Sequence, residues 1–95
     1  MIKINVKTIG SLSDILDKTE YLAKEDITVL QLIHIINNDL NGNGFLNAVL
    51  DTTEKLLPST NIFINNANIN TLADLNTKLK NNDNLFILRA DQVGG

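Results

Sequence analysis

The sequence predicts an α+β fold, a small mixed sheet with one main helix packed across it. Three observations carry that prediction. Residues 2–7 alternate strictly between apolar Ile2, Ile4, Val6 and polar Lys3, Asn5, Lys7, the period of a strand with one buried face. Residues 28–40 set Val29, Leu32, Ile33, Ile36 and Leu40 at helical spacing, a single apolar stripe. Two compact apolar runs near the end, "NIFINN" and "NLFILRA", read as further strands.

Taken in order, "IKINVKTIG" is the first strand. "SLSDILDKT" follows with Leu12, Ile15 and Leu16 at helical spacing, a short helical turn or a wide loop. "EYLAKED" is a weaker strand able to pair back on the first. The main helix starts at Thr28, an N-cap residue with Gln31 three positions on, which together form a capping-box pattern. It ends at "NGNG" (41–44), because Asn and Gly tolerate the left-handed backbone that closes a helix. His34 lies off the apolar stripe and reads as a surface histidine.

Phe45, Leu46, Val49 and Leu50 form a short amphipathic piece, then a connector runs to Pro58. Ile62, Phe63 and Ile64 are apolar without a break, as in a strand with cover or a partner on each face. "INTLADLNTKL" reads as loop and helical turn carrying Leu72, Leu75 and Leu79 inward, "KNND" is a turn, and "NLFILRA" closes the sheet. The first and last strands are both strongly apolar, which favours central positions side by side. The whole is a roll of the β-grasp type, one domain over residues 1–90, with residues 91–95 expected as an exposed tail.

Composition narrows the chemistry. The 95 residues contain no cysteine and one histidine, so thiolate metal sites, a thiol nucleophile and a His-rich metal centre are excluded. Net charge is −3, and no Lys/Arg cluster exists to track phosphates, which argues against nucleic acid. Tyr21, Phe45, Phe63 and Phe86 are too scattered for a base-stacking platform. No apolar run reaches membrane-span length, and the start shows no export signal, so a cytoplasmic protein with no membrane association is expected. The glycines at 42 and 44 lack the spacing and lysine of a phosphate loop. A triad built on His34 would need Ser11 or Ser13 brought to it by accident. The carboxylates Asp14/Asp17, Glu25/Asp26 and Asp51/Glu54 read as solvated faces and helix ends. Asparagine is unusually frequent but spread out, and reads as compositional bias. The inventory holds no self-contained active site.

The C-terminal stretch resembles a known family. "LPSTNIFINNANINTLADLNTKLKNNDNLFILRADQVGG" is similar to the second half of the MoaD/ThiS family of ubiquitin-like sulfur carriers. The family's marks are a strand ending in a hydrophobic-Asn-Gly turn, a Leu-turn-Asp element, an apolar strand and a terminal Gly-Gly. They correspond here to Ile64-Asn65-Asn66, Leu79 through Asp83, Leu85 to Leu88, and Gly94-Gly95. Asn66 stands where the family usually has Gly, and Asn also tolerates positive φ. The length and the 45–57 connector are most like the small subunit of molybdopterin synthase.

The resemblance implies a function. In that family an E1-like enzyme of the MoeB/ThiF type, using ATP and magnesium of its own, adenylates the terminal carboxylate, which is then converted to a thiocarboxylate. The sulfur is delivered in a second enzyme, the molybdopterin synthase large subunit (MoaE type) or another acceptor. On this reading Gly95 is the reacting terminus, Gly94 removes the next steric obstacle, and Val93 and Arg89 meet the partner. The chain would be no enzyme alone and would bind no cofactor or metal itself.

Ordering residues 89–95 in a partner's pocket costs roughly 7–14 kcal/mol of backbone entropy. Tail hydrogen bonds return only about 1 kcal/mol each. A rigid docking surface is therefore required. If Leu85 and Ile87 face the helix, Phe86 and Leu88 point outward as an apolar patch; alternatively the 45–57 connector covers them. Arg89 pairs with a partner carboxylate at the rim or is simply solvated. The same tail would serve a protein modifier joined to lysines, and an interaction module with incidental glycines is a third reading.

Overall fold

The computed structural model describes residues 1–10, 19–41 and 44–89. Its elements are β1 (Ile2–Gly10), β2 (Glu20–Ala23), α1 (Val29–Asp39), α2 (Phe45–Val49), β3 (Thr60–Ile64), β4 (Ala67–Asn68) and β5 (Asn84–Arg89). Two single 3₁₀ turns, Ile69–Thr71 and Asp74–Asn76, lie between β4 and β5. The sheet order is β2-β1-β5-β3-β4. Among the described strands only β1 and β5 pair in parallel; the other contacts are antiparallel. The expected adjacency of first and last strands holds, and the architecture is the expected ubiquitin-like β-grasp.

One face of the sheet makes the core. Ile2, Ile4 and Val6 of β1, Ile62 and Ile64 of β3, and Leu85 and Ile87 of β5 are buried with Val29, Leu32, Ile33 and Ile36 of α1. The period-two and period-3.6 patterns thus meet in one layer. Leu40, the last residue of the expected stripe, is half-buried at the C-cap. The capping box forms as expected: Thr28 Oγ1 accepts from Gln31 N–H at 3.2 Å, and Gln31 Oε1 accepts from Thr28 N–H at 3.0 Å. α2 buries Phe45, Ala48 and Val49 against the same core, and the buried Thr60 hydroxyl donates to the Ala48 carbonyl at 3.2 Å.

Two expectations change. Leu72 is 49% exposed and does not point inward; Ile69, three residues earlier, fills the core in its place at 0%. A leucine at helical spacing goes outward here because the segment forms two separate 3₁₀ turns and no continuous helical face. β4 is an additional strand, two residues long, beyond what hydrophobic periodicity can register. It is made by the turn before it: Asn65 and Asn66 both take positive φ, 49° and 75°, the conformation of a two-residue hairpin turn. The expected short helical turn or loop at 11–18 lies outside the described residues, as do 42–43.

The asparagines are structural and not merely a bias. Asn41 and Asn82 also adopt positive φ. Asn65 Oδ1 accepts from Asn84 N–H at 2.9 Å, and its Nδ2 donates to Asp83 Oδ1 at 2.8 Å. Asn81 Oδ1 accepts from Lys3 N–H at 2.8 Å. These bonds tie the 80–84 turn to β1 and to the β3–β4 turn, so β5 enters the sheet in a fixed register.

Candidate functional site

The face of the sheet turned away from α1 contains the candidate docking surface. Strand parity puts Lys3, Asn5, Lys7 and Ile9 of β1, Asn61 and Phe63 of β3, and Phe86 and Leu88 of β5 on it. The registers bring them together. Phe86 lies opposite Lys7 on one side and Phe63 on the other, and Leu88 lies between Ile9 and Asn61. Phe63, Phe86 and Leu88 are half-buried, while Ile9 is 43% exposed. Lys7 holds its Nζ 5.7 Å from the Phe86 ring centroid, a cation over an aromatic face at the rim of the patch. A groove of about 540 Å³ continues from Phe86 along Asn5, Lys7, Glu20, Asn65, Asn66 and Asn84.

The 45–57 segment takes no part in covering this face. α2 is buried in the core on the helix side, Leu46 N–H donates to Asn37 Oδ1 of α1 at 3.2 Å, and Leu57 N–H donates to the Val49 carbonyl at 2.9 Å. Phe86 and Leu88 therefore face outward, as the alternation with Leu85 and Ile87 requires. Arg89 shares strand parity with Leu85 and Ile87, opposite Thr60, and is partly buried. It begins on the other face from the patch. Val93, Gly94 and Gly95 lie outside the described residues. Ile9 and Phe63 complete the patch. Ile9 was legible as the residue that breaks the apolar-in, polar-out phase of β1; Phe63 was hidden inside an uninterrupted apolar run.

The end of β5 is held by a close backbone approach. Gly10, opposite Arg89, has φ of +91°, and a Cβ there would stand 2.2 Å from the Arg89 carbonyl oxygen. No side chain fits between these strands, so the backbone just before the tail is fixed against β1.

Other polar groups serve the scaffold. His34 Nε2 meets Glu54 Oε2 at 2.5 Å with both side chains largely exposed, an ion-pair geometry between α1 and the 51–55 turn. Asp51 Oδ1 accepts from Thr53 Oγ1, Thr53 N–H and Lys55 N–H, at 2.7, 2.8 and 3.0 Å. These bonds, Thr53's hydroxyl foremost, hold the Asp51 carboxyl below its ordinary range. Among the described residues no group of three or more His, Asp or Glu could hold a metal, and no helix is long and apolar enough to cross a membrane.

The fold defines a ubiquitin-like β-grasp module, and solved structures that include small archaeal modifier proteins share it. The small archaeal modifier protein 1 of Methanosarcina acetivorans aligns at 25% identity and TM-score 0.73, over 100% of this chain and 97% of that one. The Amycolatopsis orientalis BexX/CysO complex supplies a match at 23% identity and TM-score 0.70, over 99% of this chain and 100% of that chain. A Pyrococcus furiosus protein assigned as molybdopterin converting factor, subunit 1, aligns at 20% identity and TM-score 0.72, covering 96% and 100%. No protein-family model matches the chain, and no curated protein is significantly similar to it in sequence.

Proposed function

We propose that the chain is a ubiquitin-like sulfur carrier, most like the small subunit of molybdopterin synthase, with the Gly95 carboxylate as its reacting group. The observation that carries the reading is the outward patch of Ile9, Phe63, Phe86 and Leu88 on the strands next to the tail, in a fold shared with carriers and modifiers. A carboxylate is a poor acyl donor. Attack of its oxygen on the α-phosphorus of ATP releases pyrophosphate and makes an acyl adenylate. Hydrosulfide then attacks the acyl carbon and displaces AMP, leaving the thiocarboxylate and one proton. ATP and magnesium belong to an E1-like activating enzyme, and the sulfur acceptor is a second enzyme of the molybdopterin synthase large-subunit kind. The absence of Cβ atoms at Gly94 and Gly95 admits the tail to both pockets.

The tail's entropy cost explains why a patch accompanies it: rigid strands dock first, and the glycines follow at raised effective concentration. The patch and Val93 would make the partner contact, with Arg89, which starts on the opposite face, reached only as the chain turns into the tail. A protein modifier is the second reading, favoured by the modifier whose structure aligns over the whole chain. In that case a lysine amine, and not sulfur, displaces AMP.

Intact-mass analysis of untagged protein, incubated with ATP, sulfide and extract from its own source, tests the proposal. The expected result is replacement of one oxygen by sulfur at Gly95, lost on deletion of Gly95. Retention of the gain in the deletion variant would overturn the reading. A ladder of higher-mass conjugates with no sulfur gain would establish the modifier.

A further inference from the structure

The sheet ends at β2, and its outer edge pairs with no other described strand. The Val6 N–H donates to the Thr19 carbonyl at 2.8 Å, and the register continues through Ile4↔Tyr21 and Ile2↔Ala23. Antiparallel pairs alternate between hydrogen-bonded and non-bonded, so Tyr21 and Ala23 turn their backbone groups toward β1. The backbone N–H and C=O of Glu20 and Leu22, opposite Asn5 and Lys3, are directed at the free edge. A row of donors and acceptors thus faces outward over the length a short extended segment would occupy.

Side chains on both sides of that edge are arranged alike. A groove of about 610 Å³ runs between β2 and α1, lined by Glu20, Tyr21, Leu22, Ile35, Asn38 and Asp39. On the helix side stand Ile35, 37% exposed although it lies on a packed helix, and Asp39 one turn later. On the outer face stand Leu22, 65% exposed, and Glu20. Each side therefore pairs one exposed aliphatic residue with one carboxylate.

We propose that the free edge of β2 is a strand-addition site for an extended segment of a partner protein carrying aliphatic and basic side chains on both of its faces. Backbone bonds to Glu20 and Leu22 supply the pairing, Leu22 and Ile35 receive the aliphatic side chains, and Glu20 and Asp39 select lysine or arginine. Charge decides the occupant. A second copy of this chain, at net charge −3, would bring Glu20 and Asp39 against their own duplicates. A basic segment meets them with opposite sign. Because β2 is separated from β5 by β1, such a partner would leave Phe86 and Leu88 themselves uncovered, and only Glu20 lines both grooves.

The test uses the full chain and a blocked hexapeptide, Lys-Lys-Val-Val-Lys-Lys, whose two strand faces each present lysine, valine, lysine. In an NMR titration, saturable shifts at Glu20, Leu22, Ile35 and Asp39 and slowed exchange of the Glu20 and Leu22 amides are expected. E20Q and D39N should each weaken binding about two- to fivefold, an effect erased by high salt. Backbone N-methylation of the peptide should abolish it, and Phe86→Ala should leave it unchanged. Equal binding of a Glu-Glu-Val-Val-Glu-Glu peptide, shifts centred on Phe86, or no saturable shift would overturn the proposal. So would a concentration-dependent dimer, without peptide, that shifts the same β2 residues.

Discussion

Gly10 and Tyr21 show how single positions govern this molecule. At Gly10 both the positive φ and the 2.2 Å approach of the Arg89 carbonyl to a hypothetical Cβ exclude any other residue. Gly10→Ala should cost about 1–3 kcal/mol of stability in a denaturant melt, and it should loosen the end of β5 before it weakens the rest of the sheet. Tyr21 is the sole tyrosine and is 3% exposed. Burial, aided by the neighbouring Asp39 carboxylate, pushes its phenol up to about 12. The folded state holds the proton more tightly than the unfolded chain, whose phenol titrates near 10. Stability from this group is therefore complete below about pH 10 and declines toward pH 12, by on the order of 2–3 kcal/mol. The check is tyrosinate absorbance, with a midpoint near 12 in the folded protein and near 10 in denaturant, and Tyr21→Phe should remove that part of the alkaline loss.

At the scale of the element, α1 and the 80–84 turn make the sheet a fixed platform. α1 carries an apolar stripe and a reciprocal cap, and its N-terminus is bonded across the fold: Val29 N–H donates to the Thr77 carbonyl at 3.0 Å, and Leu79 N–H to the Ile27 carbonyl at 2.8 Å. Thr28→Ala should lower stability by about 1 kcal/mol in thermal or urea unfolding, with the sheet's outer face unchanged. The helix and its cap were readable in the sequence because both rest on local spacing. β4 was not readable, since two residues hold no periodicity and its existence depends on paired positive-φ asparagines. The exposed position of Leu72 was likewise unreadable: whether a leucine at helical spacing turns inward depends on the turn that carries it.

Across the whole molecule the two faces of the sheet have different work. The inner face is a closed core, and the outer face carries a half-open apolar patch beside two lysines of β1, Lys3 and Lys7. Phe86→Ala or Leu88→Asp should weaken binding to an activating enzyme by roughly tenfold or more, the loss typical of a central interface residue. The readout is isothermal titration with that enzyme, and circular dichroism should show the fold retained. The chain holds no cysteine, and its one histidine meets Glu54 on the helix side of the molecule.

By itself the sequence determined four of the five described strands and the main helix, favoured β1 beside β5, and set Phe86 and Leu88 on the strand face opposite Leu85 and Ile87. All of these follow from side-chain period, capping chemistry and apolar content, which act within a few residues. Tertiary structure alone decided that Phe63 joins the patch, that α2 lies on the helix side and leaves Phe86 and Leu88 outward, that Arg89 starts on the opposite face, and that β2 has no other described strand on its outer edge. Those outcomes depend on register and on which elements become neighbours. Register is set by contacts between residues far apart in the chain, such as Lys3 with Asn81 and Asn65 with Asp83, whose partners no local pattern names.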